Sequence, residues 1–101
     1  MPAIAETIDI AKLDSICRTY RVRHLALFGS FLRGESQQDS DVDLLVEYDR
    51  GFTPTFFGLV ELSEALRPLF GGRQIDLALP ADLHWFIRDQ VIDSARTIYE
   101  R

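Results

Sequence analysis

The sequence predicts an α+β fold: a small mixed β-sheet flanked by helices. Two short runs, residues 25–28 and 41–48, have the length and apolar character of strands, and the second alternates apolar and polar side chains. Three other stretches repeat apolar residues at helical spacing, and a further alternating run at 73–79 follows the middle one. Helices interleaved with strands in this order suit a small α/β or α+β domain.

Each element has its own signal. Ile8, Leu13, Ile16, Cys17 and Tyr20 predict a first helix over 8–20. The first strand covers 23–28, and His24 near its start reads as a hydrogen-bonded structural residue. In the second strand, over 41–48, Val42, Leu44, Val46 and Tyr48 share one face, while Asp41 and Asp43 share the other. A turn at Asp49-Arg50-Gly51 follows. Thr53 as N-cap and Pro54 at the first position open the second helix. Its expected buried stripe is Phe56, Leu59, Val60, Ser63 and Leu66, and it ends near Pro68.

Gly71-Gly72 leads into the third strand, 73–79, with Ile75, Leu77 and Leu79 on one face and Gln74, Asp76 and Ala78 on the other. Pro80-Ala81-Asp82 starts the last helix, with Asp82 as N-cap. Its stripe is Leu83, Ile87, Val91, Ala95 and Ile98, and Trp85, Ile92 and Tyr99 widen it to an arc of roughly 200° on ideal helix geometry. An ordinary surface helix needs about half of that. Either the first helix packs over the surplus, or the C-terminal helix offers a contact surface to another chain, identical or not.

The chain of 101 residues, 47% of them hydrophobic, is expected to fold as a single domain, 1–101, with a real core. Its net charge of −5 and the scatter of its eleven Lys and Arg, of which Lys12 is the one lysine, argue against direct nucleic-acid binding. The single Cys17 excludes an intrachain disulfide and a cysteine-based zinc site. With no signal-like N-terminus and no apolar run of membrane-spanning length, the expected location is cytoplasmic.

The chemistry gathers between residues 25 and 48. Two carboxylates held side by side repel, unless one keeps its proton or a cation sits between them. A hard divalent ion such as Mg²⁺, which takes carboxylates together with substrate phosphates, meets that need. The bland alternative is a polar strand start whose aspartates cap a turn. Gly29-Ser30 follows the first strand and precedes a short helix-like stretch, where backbone N–H groups form a ready anion site. Glycine there lets a phosphate approach the backbone closely.

Gly29-Ser30-x10-Asp41-x-Asp43, within FGSFLRGESQQDSDVDLLVEY, resembles the signature of the nucleotidyltransferase superfamily that includes DNA polymerase beta. The short chain is most similar to its minimal members, the MNT antitoxins of HEPN–MNT toxin–antitoxin pairs. The resemblance implies the polymerase beta-like nucleotidyltransferase fold and a third carboxylate from a later strand, which Asp76 supplies. It implies Asp41, Asp43 and Asp76 as catalytic and metal-binding residues for Mg²⁺, as two ions, with Asp76 nearer the acceptor. It also implies Gly29 and Ser30 on the terminal phosphates of ATP. Arg33, in an Arg-Gly-Glu like that of family members, could reach the triphosphate; the other reading pairs it with Glu35 in solvent.

The activity so implied is Mg²⁺-dependent transfer of AMP from ATP to a hydroxyl, expected to be a tyrosine, of a helical HEPN-type ribonuclease partner. The chain would thereby act as its antitoxin. Three alternatives stand beside this: an antitoxin that acts by binding alone, a nucleotide-binding module without turnover, and a small-molecule nucleotidyltransferase completed by a helical subunit. Intact carboxylates at 41, 43 and 76 favour turnover, and a chain this short leaves no room for an acceptor domain.

Overall fold

The computed structural model describes residues 8–28 and 41–101, with the backbone alone for 85–87. Helix α1 (Ile10–Thr19) starts where Asp9, in extended conformation, accepts the Lys12 backbone N–H at 3.1 Å. Strands β1 (Val22–Phe28) and β2 (Val42–Tyr48) pair antiparallel. Helix α2 (Phe56–Leu66) runs on through a 3₁₀ turn, Arg67–Phe70, before β3 (Ile75–Ala78) joins β2 in parallel. Helix α3 (Trp85–Ser94) and strand β4 (Arg96–Glu100) follow. One mixed sheet results, in the order β3-β2-β1-β4.

One face of this sheet carries the core. Leu25, Leu27, Val42, Leu44, Val46 and Ile75 meet Leu13 and Cys17 of α1 and Leu62 and Leu66 of α2, all buried. The other face is shallower. There Pro80, Ile92 and Ala95 close a cavity of about 120 Å³ over His24, Ala26, Leu45 and Glu47. Among the described residues no helix is long and apolar enough to cross a membrane.

The mixed-sheet architecture matches the sequence-based expectation, but several local features do not. The largest correction concerns the last helix, which stops at Ser94 instead of continuing through Tyr99. Ala95 turns extended (φ −68, ψ 141), and 96–100 become β4, antiparallel to β1 with Leu25 opposite Tyr99. The stretch Arg96-Thr97-Ile98-Tyr99 is β-branched and aromatic, and the open edge of β1 offers it a ladder. Tertiary pairing outweighs the helical spacing of Val91, Ala95 and Ile98. The expected C-terminal helical strip therefore does not form as a unit: Ile98 and Tyr99 belong to the sheet, and Ile92 is exposed. The side chains of Trp85 and Ile87 lie outside the described residues.

Two caps also differ. Residues 80–82 form a separate 3₁₀ turn, and His84, not Asp82, precedes α3. Thr55, not Thr53, caps α2, its Oγ1 accepting the Gly58 backbone N–H at 3.0 Å. The expected stripe on α2 is correct in its spacing but wrong in its burial. Leu66 is buried and Leu62 joins it, whereas Phe56 and Val60 stand 75% and 44% exposed. Phe56, Leu59, Val60 and Ser63 instead line an open groove against β3.

Candidate functional site

Parallel pairing of β2 with β3 places Asp43 directly opposite Asp76, with Val42 opposite Ile75 and Leu44 opposite Leu77. Val42, Leu44 and Ile75 are buried in the core, so alternation turns Asp43 and Asp76 to the opposite face. Asp41 stands just before β2 with the same parity. Both strand starts are thus held by apolar neighbours beneath the sheet and present their carboxylates above it. The Val42 N–H donates to the Gln74 carbonyl at 2.8 Å, which fixes the register at the site itself.

The electrostatics show how close the three groups are. Burial raises the Asp43 carboxyl above its ordinary value, and the negative charge of Asp41 raises it further. Asp76 is also raised, first by partial burial, then by a hydrogen bond with Asp41, then by the charges of Asp41 and Asp43. Raised proton affinity of this kind is the behaviour of carboxylates gathered without a counter-charge. Among the described residues no three His, Cys, Asp or Glu side chains already converge on a single point. Carboxylate oxygens are the donor type that a hard cation such as Mg²⁺ takes.

Gly29, Ser30, Arg33 and Glu35 lie outside the described residues. Phe28, immediately before Gly29, is the β1 partner of Asp43, so the chain leaves β1 beside the carboxylates. His24 sits at the far end of the same face. Its Nδ1 is 3.1 Å from Glu47 Oε2 and its Nε2 is 2.9 Å from Thr97 Oγ1, a cross-strand structural cluster in keeping with its sequence reading.

A larger cavity of about 540 Å³, lined by Tyr20, Arg21, Tyr48, Phe52 and Glu61 among others, opens at the opposite end of β1 and β2. It contains none of the three aspartates. The groove between α2 and β3, about 280 Å³, does reach Asp76. Sequence reading missed that groove because it assigned the apolar residues of α2 to the core. The adjacent pair Phe56-Phe57 was a usable signal, since two large rings about 100° apart on a helix need a wide covered arc.

Comparison with known proteins agrees with this fold. The family described as Polymerase beta, Nucleotidyltransferase matches residues 11–101. The chain is 37% identical over 78 residues to Protein adenylyltransferase MntA of Thermococcus cleftensis, covering 77% of this chain and 76% of that protein. Of another relative, from Methanocaldococcus jannaschii and 40% identical over 65 residues, it spans 64% of the length. A crystal structure of a toxin–antitoxin with AMP-PNP superposes with a TM-score of 0.70 at 20% identity, covering 93% of this chain and 75% of that one. A tri-AMPylated Shewanella oneidensis HEPN toxin in complex with MNT antitoxin gives 0.61 at 19% identity, covering 91% and 70%. At these identities the structural likeness is one of fold.

Proposed function

This chain belongs to the polymerase beta nucleotidyltransferase family, and we propose that it transfers AMP from ATP to a hydroxyl of a HEPN-type partner protein, neutralising that partner. The observation that carries the proposal is the register placing Asp43 opposite Asp76, with Asp41 two residues before Asp43 on the same face. The named relative is a protein adenylyltransferase, and a structural neighbour pairs an MNT antitoxin with an AMPylated HEPN toxin. In this reading residues 1–101 work as a single minimal nucleotidyltransferase domain in the cytoplasm, and the partner brings the acceptor, a tyrosine.

Asp41, Asp43 and Asp76 would hold Mg²⁺, as two ions, which when bound neutralise the phosphates and both oxygens of an in-line displacement. Asp41 and Asp43 orient the triphosphate, with Gly29, Ser30 and Arg33 proposed on its phosphates. Asp76 orients the acceptor hydroxyl and takes its proton. The hydroxyl oxygen bonds to the α-phosphorus, the bond from that phosphorus to the bridging oxygen breaks, and pyrophosphate leaves with the electron pair.

The test is intact-mass measurement of a HEPN-type protein, taken from the reading frame next to this chain's where that frame encodes one, after incubation with the chain, ATP and Mg²⁺. Additions of about 329 Da, the mass of one AMP unit moved by phosphoryl-transfer chemistry, are expected. They should vanish with Asp41→Ala/Asp43→Ala. Neutralisation at unchanged mass, equally strong with the double variant, would overturn the proposal in favour of an antitoxin that acts by binding.

A further inference from the structure

We propose that the groove between α2 and β3 is the docking surface for the protein that supplies the acceptor hydroxyl. The inference rests on the transfer reading above and adds a location and a partner chemistry to it. Phe56, Leu59, Val60 and Ser63 form one wall, on successive turns of α2; Ile75, Asp76 and Leu77 form the other. The groove thus runs along apolar side chains directly to a site carboxylate. A segment lying in it would have its polar groups beside Asp76.

The aromatic side chains at the start of α2 lie outside the buried core. Phe56 and Phe57 are 75% and 76% exposed, and their rings meet edge to face with centroids 6.0 Å apart. The helix is already anchored by Leu62 and Leu66. Two uncovered aromatics next to Val60 are the kind of anchor that dominates protein–protein contacts.

The chemistry of the groove selects among occupants. Among the described residues its lining holds no Lys or Arg, and the chain carries a net charge of −5, so a nucleic-acid acceptor would meet repulsion there. A small-molecule acceptor calls for a pocket that encloses most of its surface. The groove is open along its length, and its walls are mainly apolar. What fits is an apolar segment of a second, non-identical protein, with a phenol-type hydroxyl at the Asp76 end and basic residues around its rim.

The experiment compares the intact chain with Phe56→Ser/Val60→Ser, both exposed positions, using the HEPN-type protein of the mass measurement as probe. Complex formation is measured by calorimetry in an Asp43→Asn background, where transfer does not intervene; modification is measured separately by intact mass. The double serine variant should weaken the complex by about tenfold or more, as expected for loss of interface anchors. It should slow AMP addition in proportion at low partner concentration and leave Mg²⁺·ATP affinity and melting temperature unchanged. Wild-type partner affinity in the serine variant would overturn the docking surface while leaving the transfer reading intact. If the complex weakens as expected but the wild-type chain adds no mass, the transfer reading falls and the acceptor-docking role falls with it, leaving the groove as a plain binding surface. A wild-type chain that sediments as a dimer, and as a monomer with the serines, would place a second copy in the groove and overturn the proposal.

Discussion

Asp43 and Asp76 are direct partners across two parallel strands, and both bind protons more tightly than an ordinary aspartate. Side chains of like charge at this spacing oppose folding when nothing neutralises them.

The first prediction follows from that opposition. A carboxyl raised on folding binds protons better in the folded state. Its favourable contribution is present below the ordinary value of 3.8 and is lost as pH rises through the raised folded value. At neutral pH without metal, Asp43→Asn should therefore melt a few degrees higher than wild type, with a smaller difference in acid. Mg²⁺ should raise the melting temperature of wild type and do much less for the variant. Scanning calorimetry at several pH values, with and without Mg²⁺, reads both effects; a metal-free variant less stable than wild type at neutral pH would contradict them.

Asp14 behaves in the opposite sense. The Arg18 guanidinium, 2.9 Å away, and the Tyr99 hydroxyl, which donates to its Oδ1 at 2.9 Å, hold its carboxyl below the usual range. That contribution is present above the unfolded value and is lost as pH falls through the depressed folded value. Tyr99→Phe should move the Asp14 titration upward in an NMR pH series, and Arg18→Ala should move it further. An unmoved Asp14 in Tyr99→Phe would mean that β4 does not dock on α1 through this bond.

Position on α2 should separate core from groove. Leu62→Ala, at a fully buried site, should cost about 2–5 kcal/mol of folding stability. Phe56→Ala, on the same helix but largely exposed, should stay within about 0.5 kcal/mol. Denaturant melts of the two variants check this, and a large loss in Phe56→Ala would return that ring to the core.

Cys17 has no exposure, and burial pushes its thiol up to about 12. The thiolate is the reactive form, so alkylation at neutral pH should follow global unfolding, accelerating in denaturant with the melt. Rapid labelling of the native protein would show that α1 opens by itself.

The shared face of Asp41 and Asp43 was legible in the sequence because strand alternation is local: two residues apart means one face. The strand carrying Asp76 was legible for the same reason, although which strand lies beside it is a tertiary fact. Ile98 and Tyr99 were misread because Val91, Ala95 and Ile98 happen to fit a helical period, and a vacant sheet edge has no signature in the segment that fills it. Phe56 and Val60 were misread because periodicity reports that a helix has an apolar side, not what that side meets.

Gly71 and Gly72, with φ of 70 and 82, turn the chain from α2 into β3. The left-handed φ at both positions strains any side chain placed there, so the connection is tied to its two glycines. Its length is the freer variable: burial of Ile75 beneath the sheet holds β3 in the register that sets Asp76 opposite Asp43, and a longer loop is absorbed at the surface.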